Sequence, residues 1–367
     1  MLLKTPLNDI HKNLGARMVD FGGWEMPVVY TNQIEEHHAV RKAAGIFDVS
    51  HMGEIMVTGA QAFDLVQKLV SKDIEPMQDG QVSLGVLCNE RGGIIDDLTV
   101  YKFSPQQYML VVNAGTAEKD YQWVQQHAQG LDVKTENISA EITKIDLQGP
   151  RSQEILQQLT PADLSEIKRY RFKEISVDGV SMTVSRSGYT GEDGFELYFE
   201  NTSAEKIWNV LLEKGKPFGL VPCGLGSRDT LRTECGMMLY GHDIDEDHTP
   251  FEAVYGWAVS EKKDFIGKDA LMRQRQEGLQ RKLVGFEMLD RGIARQHYPV
   301  YFQNEEVGVV TSGTPSPTLN KNIGMAYIRP ALNIPGTAIE IKIRDNLAKA
   351  KIVKLPFYTR PSRSEAF

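Results

Sequence analysis

Apolar and polar residues alternate in short runs over most of the 367-residue chain. Runs with a period of two predict strands at residues 53–58, 108–112, 175–184 and 195–200. Helical spacing of apolar residues predicts a helix over residues 59–70. The segment Thr202-Ser203-Ala204-Glu205 has the form of a capping box and predicts the start of another helix. The first two-thirds of the chain therefore predict an α+β fold.

The pattern changes from Lys282 onward. Short apolar runs are separated by Gly, Pro and Asn, and helix signals are scarce. These runs predict strands at residues 284–288, 307–311, 324–328 and 338–343. We expect an all-β, barrel-like C-terminal domain. Since single hydrophobic cores stop growing near about 250–300 residues, the chain length predicts two or three domains.

Composition excludes several classes of protein. Apolar residues make up 41% and charged residues 25%, as in ordinary soluble enzymes. The 49 acidic and 41 basic residues give a formal charge of −8, which does not favour nucleic acid as a partner. No stretch approaches the roughly 18 apolar residues of a membrane span, and no signal peptide precedes Thr5, so we expect a cytoplasmic, bacterial protein. The three cysteines form no Cys-x-x-Cys pair, which disfavours a disulfide framework or a thiolate metal site.

Two glycine-rich acidic loops are the strongest candidates for chemistry. The first contains Asp96 and Asp97 after Gly92-Gly93, directly ahead of an apolar-alternating strand, and the second covers residues 187–197. Each alone is typical of a hairpin tip, but two of one kind suggest one shared site. In an alternating strand Asp96 and Asp97 point to opposite faces, so only one should enter a pocket. The residues alone do not choose between them.

Six segments occur in an order that one family shares. They are Asp20–Pro27, Gly45–Gly53, the two loops, Gly224–Asp229 and Thr311–Leu319. With them the chain resembles the aminomethyltransferase, or T-protein, family of the glycine cleavage system, from about Thr5 to Phe357. In contrast, Gly224 and Gly226 lack the third glycine of a dinucleotide fingerprint, and no Walker A lysine is present.

The resemblance implies an α+β fold arranged as a three-domain cloverleaf. Its first domain is ferredoxin-like and discontinuous, and we expect it at residues 1–51 plus 141–275, where folate binds. The second α+β domain, expected at residues 52–140, is inserted between these segments and carries Asp96 and Asp97. The third is the C-terminal β-barrel domain, expected at residues 280–367.

The resemblance also implies a reaction. Tetrahydrofolate is the co-substrate, and no metal is required. The donor is the lipoylated H protein carrying an aminomethyl group, and other glycine cleavage components are indirect partners. Ammonia is released, and the products are 5,10-methylenetetrahydrofolate and dihydrolipoyl H protein. Nucleic acid and membranes are not expected partners.

Site residues follow from the family motifs. The resemblance selects Asp97 as the catalytic carboxylate. It implies that Glu196 and Arg228 bind the pterin, because a carboxylate pairs with ring N–H groups and a guanidinium presents a planar fork. Tyr189 would pack on the ring, and Asn113 and Met52 would lie near the folate. Whether Arg360 or Arg363 reaches the site stays open, because the tail departs from the family.

Two alternatives remain open at this stage. One is a folate-binding protein of the same fold without transfer activity, as in relatives that assist iron–sulfur assembly. Those relatives generally lack the full combination of Asp97, Glu196 and Arg228. The other is a transfer enzyme that acts on a different methylated amine, which only substrate assays separate.

Overall fold

The computed structural model describes residues 1–360. The chain divides into two compact units, residues 1–85 with 97–228, and residues 86–96 with 229 onward. The helices are α1 Asn8–Asn13, α2 Gln33–Lys42, α3 Ala62–Leu69, α4 Ala117–Ala128, α5 Ser152–Gln157, α6 Ala204–Gly215, α7 Leu225–Glu234 and α8 Lys268–Glu277. Among the described residues no helix is long and apolar enough to cross a membrane.

Strands alternate with these helices in the first unit and dominate the second. They are β1 Arg17–Phe21, β2 Trp24–Val29, β3 Ala44–Asp48, β4 Gly53–Thr58, β5 Gln81–Cys88, β6 Ile94–Ser104, β7 Gln107–Val112, β8 Lys134–Asn137, β9 Ile142–Gln148, β10 Phe172–Val177, β11 Val180–Ser185, β12 Gly194–Glu200, β13 Leu220–Pro222, β14 Lys282–Met288, β15 Pro299–Phe302, β16 Glu305–Ser316, β17 Lys321–Ile328, β18 Ala338–Ile343 and β19 Asn346–Val353. The predicted α+β class is confirmed.

A six-stranded sheet in the first unit has the order β10-β11-β12-β9-β3-β13. One face packs on a core that includes Ile145 and Leu147 of β9 and Trp208 of α6. The alternate residues of β9 point to the other face, yet they are buried as well: Lys144 is 2% exposed and Asp146 is fully buried. This strand therefore carries charged groups into the interior.

A five-stranded sheet has the order β5-β6-β7-β4-β8. Leu65, Val66 and Leu69 form the buried face of α3 in the same unit as β4 and β7. At the start of β4 the chains approach closely, since a Cβ on Gly53 would lie 2.7 Å from Cγ2 of Val112. A larger residue at this position would therefore force neighbouring side chains to move.

The second unit contains a closed barrel with the order β14-β17-β16-β15-β18-β19. Its buried core is mainly aliphatic and includes Phe286, Val300 and Ile341, with the partly buried Tyr298 and Phe302 packed against it. Because the barrel is closed, it has no unpaired sheet edge, and short strands separated by Gly and Pro are enough to form it. The predicted barrel-like C-terminal domain is confirmed. The sequence pattern missed β15 and β19 and gave β16 too short.

Three local predictions were wrong. Residues 175–184 are not one strand but part of the hairpin β10–β11, because Asp178 and Gly179 both take positive φ, as a tight two-residue turn requires. The capping box is absent, since α6 begins at Ala204 after a 3-10 turn and Ser203 makes no side-chain cap. Asp96 and Asp97 lie inside β6 rather than ahead of it.

Candidate functional site

The second glycine-rich loop is clamped by Gln148 at the end of β9. The Gln148 amide donates to Ser187 O at 3.0 Å and accepts from the Thr190 hydroxyl at 3.0 Å. A Cβ on Gly188 would lie 2.1 Å from the same amide oxygen, so glycine lets the loop approach this side chain. The loop acids Glu192 and Asp193 are used in ion pairs with arginines. The remaining acidic residue of this loop, Glu196, lies in β12.

Glu196 is 7% exposed, and both of its carboxylate oxygens contact protein groups. Oε1 lies 3.0 Å from the Lys144 ammonium. Oε2 accepts from the Tyr101 hydroxyl at 3.0 Å and from the Ser187 hydroxyl in a short hydrogen bond. A carboxylate offers roughly four acceptor positions, so Oε1 keeps capacity for one further donor. The group is held rigidly.

Lys144 links Glu196 to Met52. Its ammonium donates to Met52 Sδ at 3.2 Å and lies 5.3 Å from the centre of the Tyr198 ring. The strand register explains why Lys144 contacts Glu196. Lys144 pairs with Tyr198 across the strands, so it lies diagonal to Glu196 on the same face of the sheet. Two of the predicted cofactor-binding residues thus share one buried cation.

Asp146 is the cross-strand partner of Glu196, and its side chain binds Arg228. The Arg228 guanidinium donates to Asp146 Oδ2 at 2.9 Å, and it lies 4.9 Å from the centre of the Tyr189 ring. Arg228 sits in the first turn of α7, after the close approach of Gly224 to the backbone of Val28. Asp146 Oδ1 is buried and has no hydrogen-bond partner among the described residues. Such an atom is an acceptor in need of a donor.

Asp97 is held by Asn113. The Asn113 amide donates to the Asp97 carboxylate at 3.0 Å and to its backbone carbonyl at 3.1 Å. Gly53 pairs with Val112, so Met52 and Asn113 lie at the same end of the β4–β7 pair. Asp97 is half-buried, whereas Asp96 is fully buried. The structure thus distinguishes two carboxylates that the sequence left equivalent.

Charge is balanced inside this cluster. Burial alone would raise the pKa of Glu196, but the Lys144 ammonium and the Ser187 hydroxyl outweigh it, so that pKa lies below its ordinary value. Burial and repulsion by Glu196 raise the pKa of Asp146, against the opposing effect of Lys144 and Arg228. Two cations face two carboxylates, which is the condition under which buried charges are tolerated.

Two further buried groups flank Met52 in the sequence. Burial raises the pKa of Glu54 to about 8 and lowers that of His51 to about 3. Both groups are therefore neutral near pH 7, and Glu54 Oε1 and His51 Nδ1 have no hydrogen-bond partner among residues 1–360. Neutral forms avoid the large cost of burying an unpaired charge.

The six predicted site residues all lie in the first unit. The structure brings together Glu196 with Met52 through Lys144, Arg228 with Tyr189, and Asp97 with Asn113. Arg360 belongs to the other unit, and Arg363 lies outside the described residues.

Sequence reasoning missed Lys144 and Asp146. In the segment Ile142–Gln148 polar residues alternate with apolar ones, which is typical of a strand with one face in solvent. The one sequence feature that distinguishes this strand is that lysine, aspartate and glutamine occupy successive positions on the same face.

Within the described residues no group of three or more His, Cys, Asp or Glu side chains is arranged to hold a metal ion.

The chain is similar to known proteins over nearly its whole length. Residues 7–263 match the family described as GCVT N-terminal domain, and residues 281–359 match the glycine cleavage T-protein C-terminal barrel domain. The chain is 50% identical over 363 residues to an aminomethyltransferase of Bacillus licheniformis, covering 98% of this chain and 100% of that protein. It is 51% identical over 361 residues to an aminomethyltransferase of Caldanaerobacter subterraneus, covering 98% and 96%.

A solved structure is similar over nearly the whole length. It is the glycine cleavage system aminomethyltransferase T from Bartonella henselae, which shares 32% sequence identity with this chain. The TM-score is 0.92, and the match covers 98% of each chain.

Proposed function

The chain belongs to the glycine cleavage T-protein family, and from that premise we propose that it is a tetrahydrofolate-dependent aminomethyltransferase. It releases ammonia from the aminomethyl-lipoyl arm of H protein and forms 5,10-methylenetetrahydrofolate and dihydrolipoyl H protein. The observation that carries this proposal is the coexistence of Asp97, Glu196 and Arg228 in one unit, each held by a specific partner. The other glycine cleavage components are indirect partners, and we propose that the protein acts in the bacterial cytoplasm.

The donor and acceptor set fits a reduced pterin. A pterin presents N–H donors and a carbonyl acceptor on a flat ring. Glu196 Oε1 has remaining acceptor capacity, and the buried Asp146 Oδ1 is without a donor. Arg228 supplies a guanidinium beside the Tyr189 ring. We propose that Glu196 and Arg228 hold the pterin, that Tyr189 packs against it, and that Met52 and Asn113 lie beside it.

Tetrahydrofolate, when bound, supplies the nucleophilic nitrogens and carries away the one-carbon unit. The contribution of Asp97 is electrostatic and acid–base. Its carboxylate is fixed by Asn113, so it needs little rearrangement to stabilise the positive charge that develops as ammonia leaves. The same carboxylate accepts the proton that the acceptor nitrogen loses.

Sheet membership supports a three-domain division. The six-stranded sheet draws on residues 44–48 and on strands between residues 142 and 222, while the five-stranded sheet uses only strands between residues 53 and 137. We therefore propose the discontinuous first domain, residues 1–51 plus 141–275, and the inserted domain, residues 52–140. The barrel domain would cover residues 280–367.

Direct titration with tetrahydrofolate tests the proposed site. The purified wild-type chain and a Glu196→Gln variant are compared by calorimetry, with Glu213→Gln as the control, because Glu213 is an exposed glutamate of α6. We expect the Glu196 variant to bind at least about tenfold more weakly, since the neutral amide gives up a charge-assisted hydrogen bond. Equal affinity of all three proteins would remove Glu196 from the folate site.

A further inference from the structure

Lys144 is a cation buried inside the candidate site that the proposed roles do not use. Its side chain is 3% exposed, and the Glu196 side chain that it contacts is 9% exposed. The ammonium lies 3.0 Å from Glu196 Oε1 and 3.2 Å from Met52 Sδ. Lysine is almost never buried to this extent unless it is paired, so the pair is a built feature of this interior.

The position of Lys144 is fixed from both ends. Its backbone N–H donates to the Ser50 hydroxyl at 3.1 Å, and that hydroxyl donates to Asp48 at 2.6 Å. Asp48 is in turn 2.8 Å from His11 and fully buried with it. The strand that carries Lys144 therefore cannot shift easily, and the ammonium is held at one place relative to Glu196.

Without Lys144, burial would raise the pKa of Glu196, and neighbouring acids would compete with it for the charged form. Asp146 lies directly opposite on β9, and the Glu196 charge raises the pKa of Asp146 and that of Glu54 on β4. Tyr101 of β6 stays a neutral donor, because burial and the Glu196 charge raise its pKa well above the ordinary value. Arg228 of α7 is committed to Asp146. Lys144 is the cation in direct contact with the Glu196 carboxylate.

We propose that Lys144 is a positioning residue, which holds the Glu196 carboxylate ionised and oriented so that it can accept hydrogen bonds from the pterin. The inference rests on the proposed folate site. It makes Lys144 and Glu196 one functional pair, in which the cation sets the charge of the carboxylate and the carboxylate contacts the ligand. A neutral Glu196 would present a hydroxyl in place of an acceptor and would lose much of its affinity for ring N–H groups.

The test replaces Lys144 by Met and follows the ionisation of Glu196 directly. Glutamate is labelled with ¹³C at the carboxyl carbon, and the Glu196 resonance is assigned by its loss in Glu196→Gln. In the wild type we expect this carboxyl to stay ionised from about pH 9 down to about pH 5. In Lys144→Met it should take up a proton at a distinctly higher pH than in the wild type, because the effect of burial is then no longer opposed by a cation in contact.

Folate affinity is measured on the same proteins across pH. Lys144→Met should bind tetrahydrofolate at least about tenfold more weakly at any pH where its Glu196 carboxyl is protonated, and affinity should recover as the pH rises and that carboxyl ionises. Lys144→Arg should keep the wild-type pH profile. Lys102→Met is the matched control, because Lys102 of β6 is also a mostly buried lysine and donates to the Met77 carbonyl. It should lower stability without changing the pH profile of binding.

Two results would overturn the proposed role of Lys144. One is a Glu196 titration in Lys144→Met that is the same as in the wild type. The other is a pH profile of folate affinity in Lys144→Met that is the same as in the wild type. If Lys144→Met does not fold, Lys144→Gln keeps a hydrogen-bond donor without the charge and serves in its place. If the wild type binds no tetrahydrofolate, the proposed function fails, while the ¹³C titration still decides whether Lys144 controls Glu196.

Discussion

Replacing Asp97 by Asn separates the chemical role of this carboxylate from its structural role. An Asn side chain keeps an oxygen that can accept from the Asn113 amide, which is 3.0 Å from the Asp97 carboxylate. The hydrogen bond then changes from charge-assisted to neutral, which costs about 1 kcal/mol. Because the side chain is half-buried, we expect the free energy of unfolding to fall by no more than that amount.

The rate should fall much further than this structural cost allows. A structural loss of about 1 kcal/mol corresponds to roughly a fivefold effect at most. Removal of a group that acts as acid–base catalyst costs about 10²- to 10⁴-fold, or roughly 3 to 5 kcal/mol of barrier. We therefore expect the kcat of Asp97→Asn to drop by at least about a hundredfold, with the folate Kd changed by less than about threefold.

Three measurements check this prediction on one preparation. Ammonia release at saturating folate gives kcat, calorimetry gives the folate Kd, and urea unfolding gives stability. Asp97→Ala is the companion variant, since it also removes the side-chain contact with Asn113; it should be less stable than Asp97→Asn and have a similar kcat. A kcat within about fivefold of the wild type, or an equal loss of rate and folate affinity, would refute the assignment.

Three further predictions concern the buried charges. Glu196→Ala should weaken folate binding by about 2 kcal/mol, or roughly thirtyfold by calorimetry, while kcat at saturating folate falls less; a reversed order would contradict its binding role. Arg228→Met should lower the free energy of unfolding by about 2–4 kcal/mol, because it leaves Asp146 buried without its cation, and adding Asp146→Asn should recover at least half in urea titrations. Burial raises the pKa of Glu54 from 4.5 to about 8, so the native state loses stability as the pH rises between these values. Glu54→Gln should then exceed the wild type by about 3–5 kcal/mol near pH 9 and match it near pH 4, and a pH-independent difference would show that Glu54 does not titrate in this way.

The fold class followed from the sequence because periodicity reports which faces are buried. Residues 53–58 and 338–343 alternate regularly and were assigned correctly as β4 and β18. The hairpin at Asp178-Gly179 was missed although the dipeptide is a strong turn signal, since the flanking apolar residues continue the alternation through it. β19 was missed because its lysines and alanines make the alternation of apolar and polar residues weak.

The site was harder to derive, because its residues meet through tertiary contacts. Glu196 and Lys144 are separated by about fifty residues in the chain and become neighbours only through the register of β12 on β9. Binary patterning treats a polar face as solvent-facing, so it cannot show that Lys144 and Asp146 are buried. The choice between Asp96 and Asp97 likewise required the partner Asn113, which no local pattern reveals.

The most direct test of the proposed function is ammonia release by the purified protein from aminomethyl-loaded, lipoylated H protein, measured with and without tetrahydrofolate and with no other component. We predict strong release that depends on tetrahydrofolate and is matched by the 5,10-methylenetetrahydrofolate formed. Absence of release, with a competent H protein and confirmed folate binding, would contradict the proposal and favour a folate-binding protein without transfer activity or an enzyme with a different amine donor.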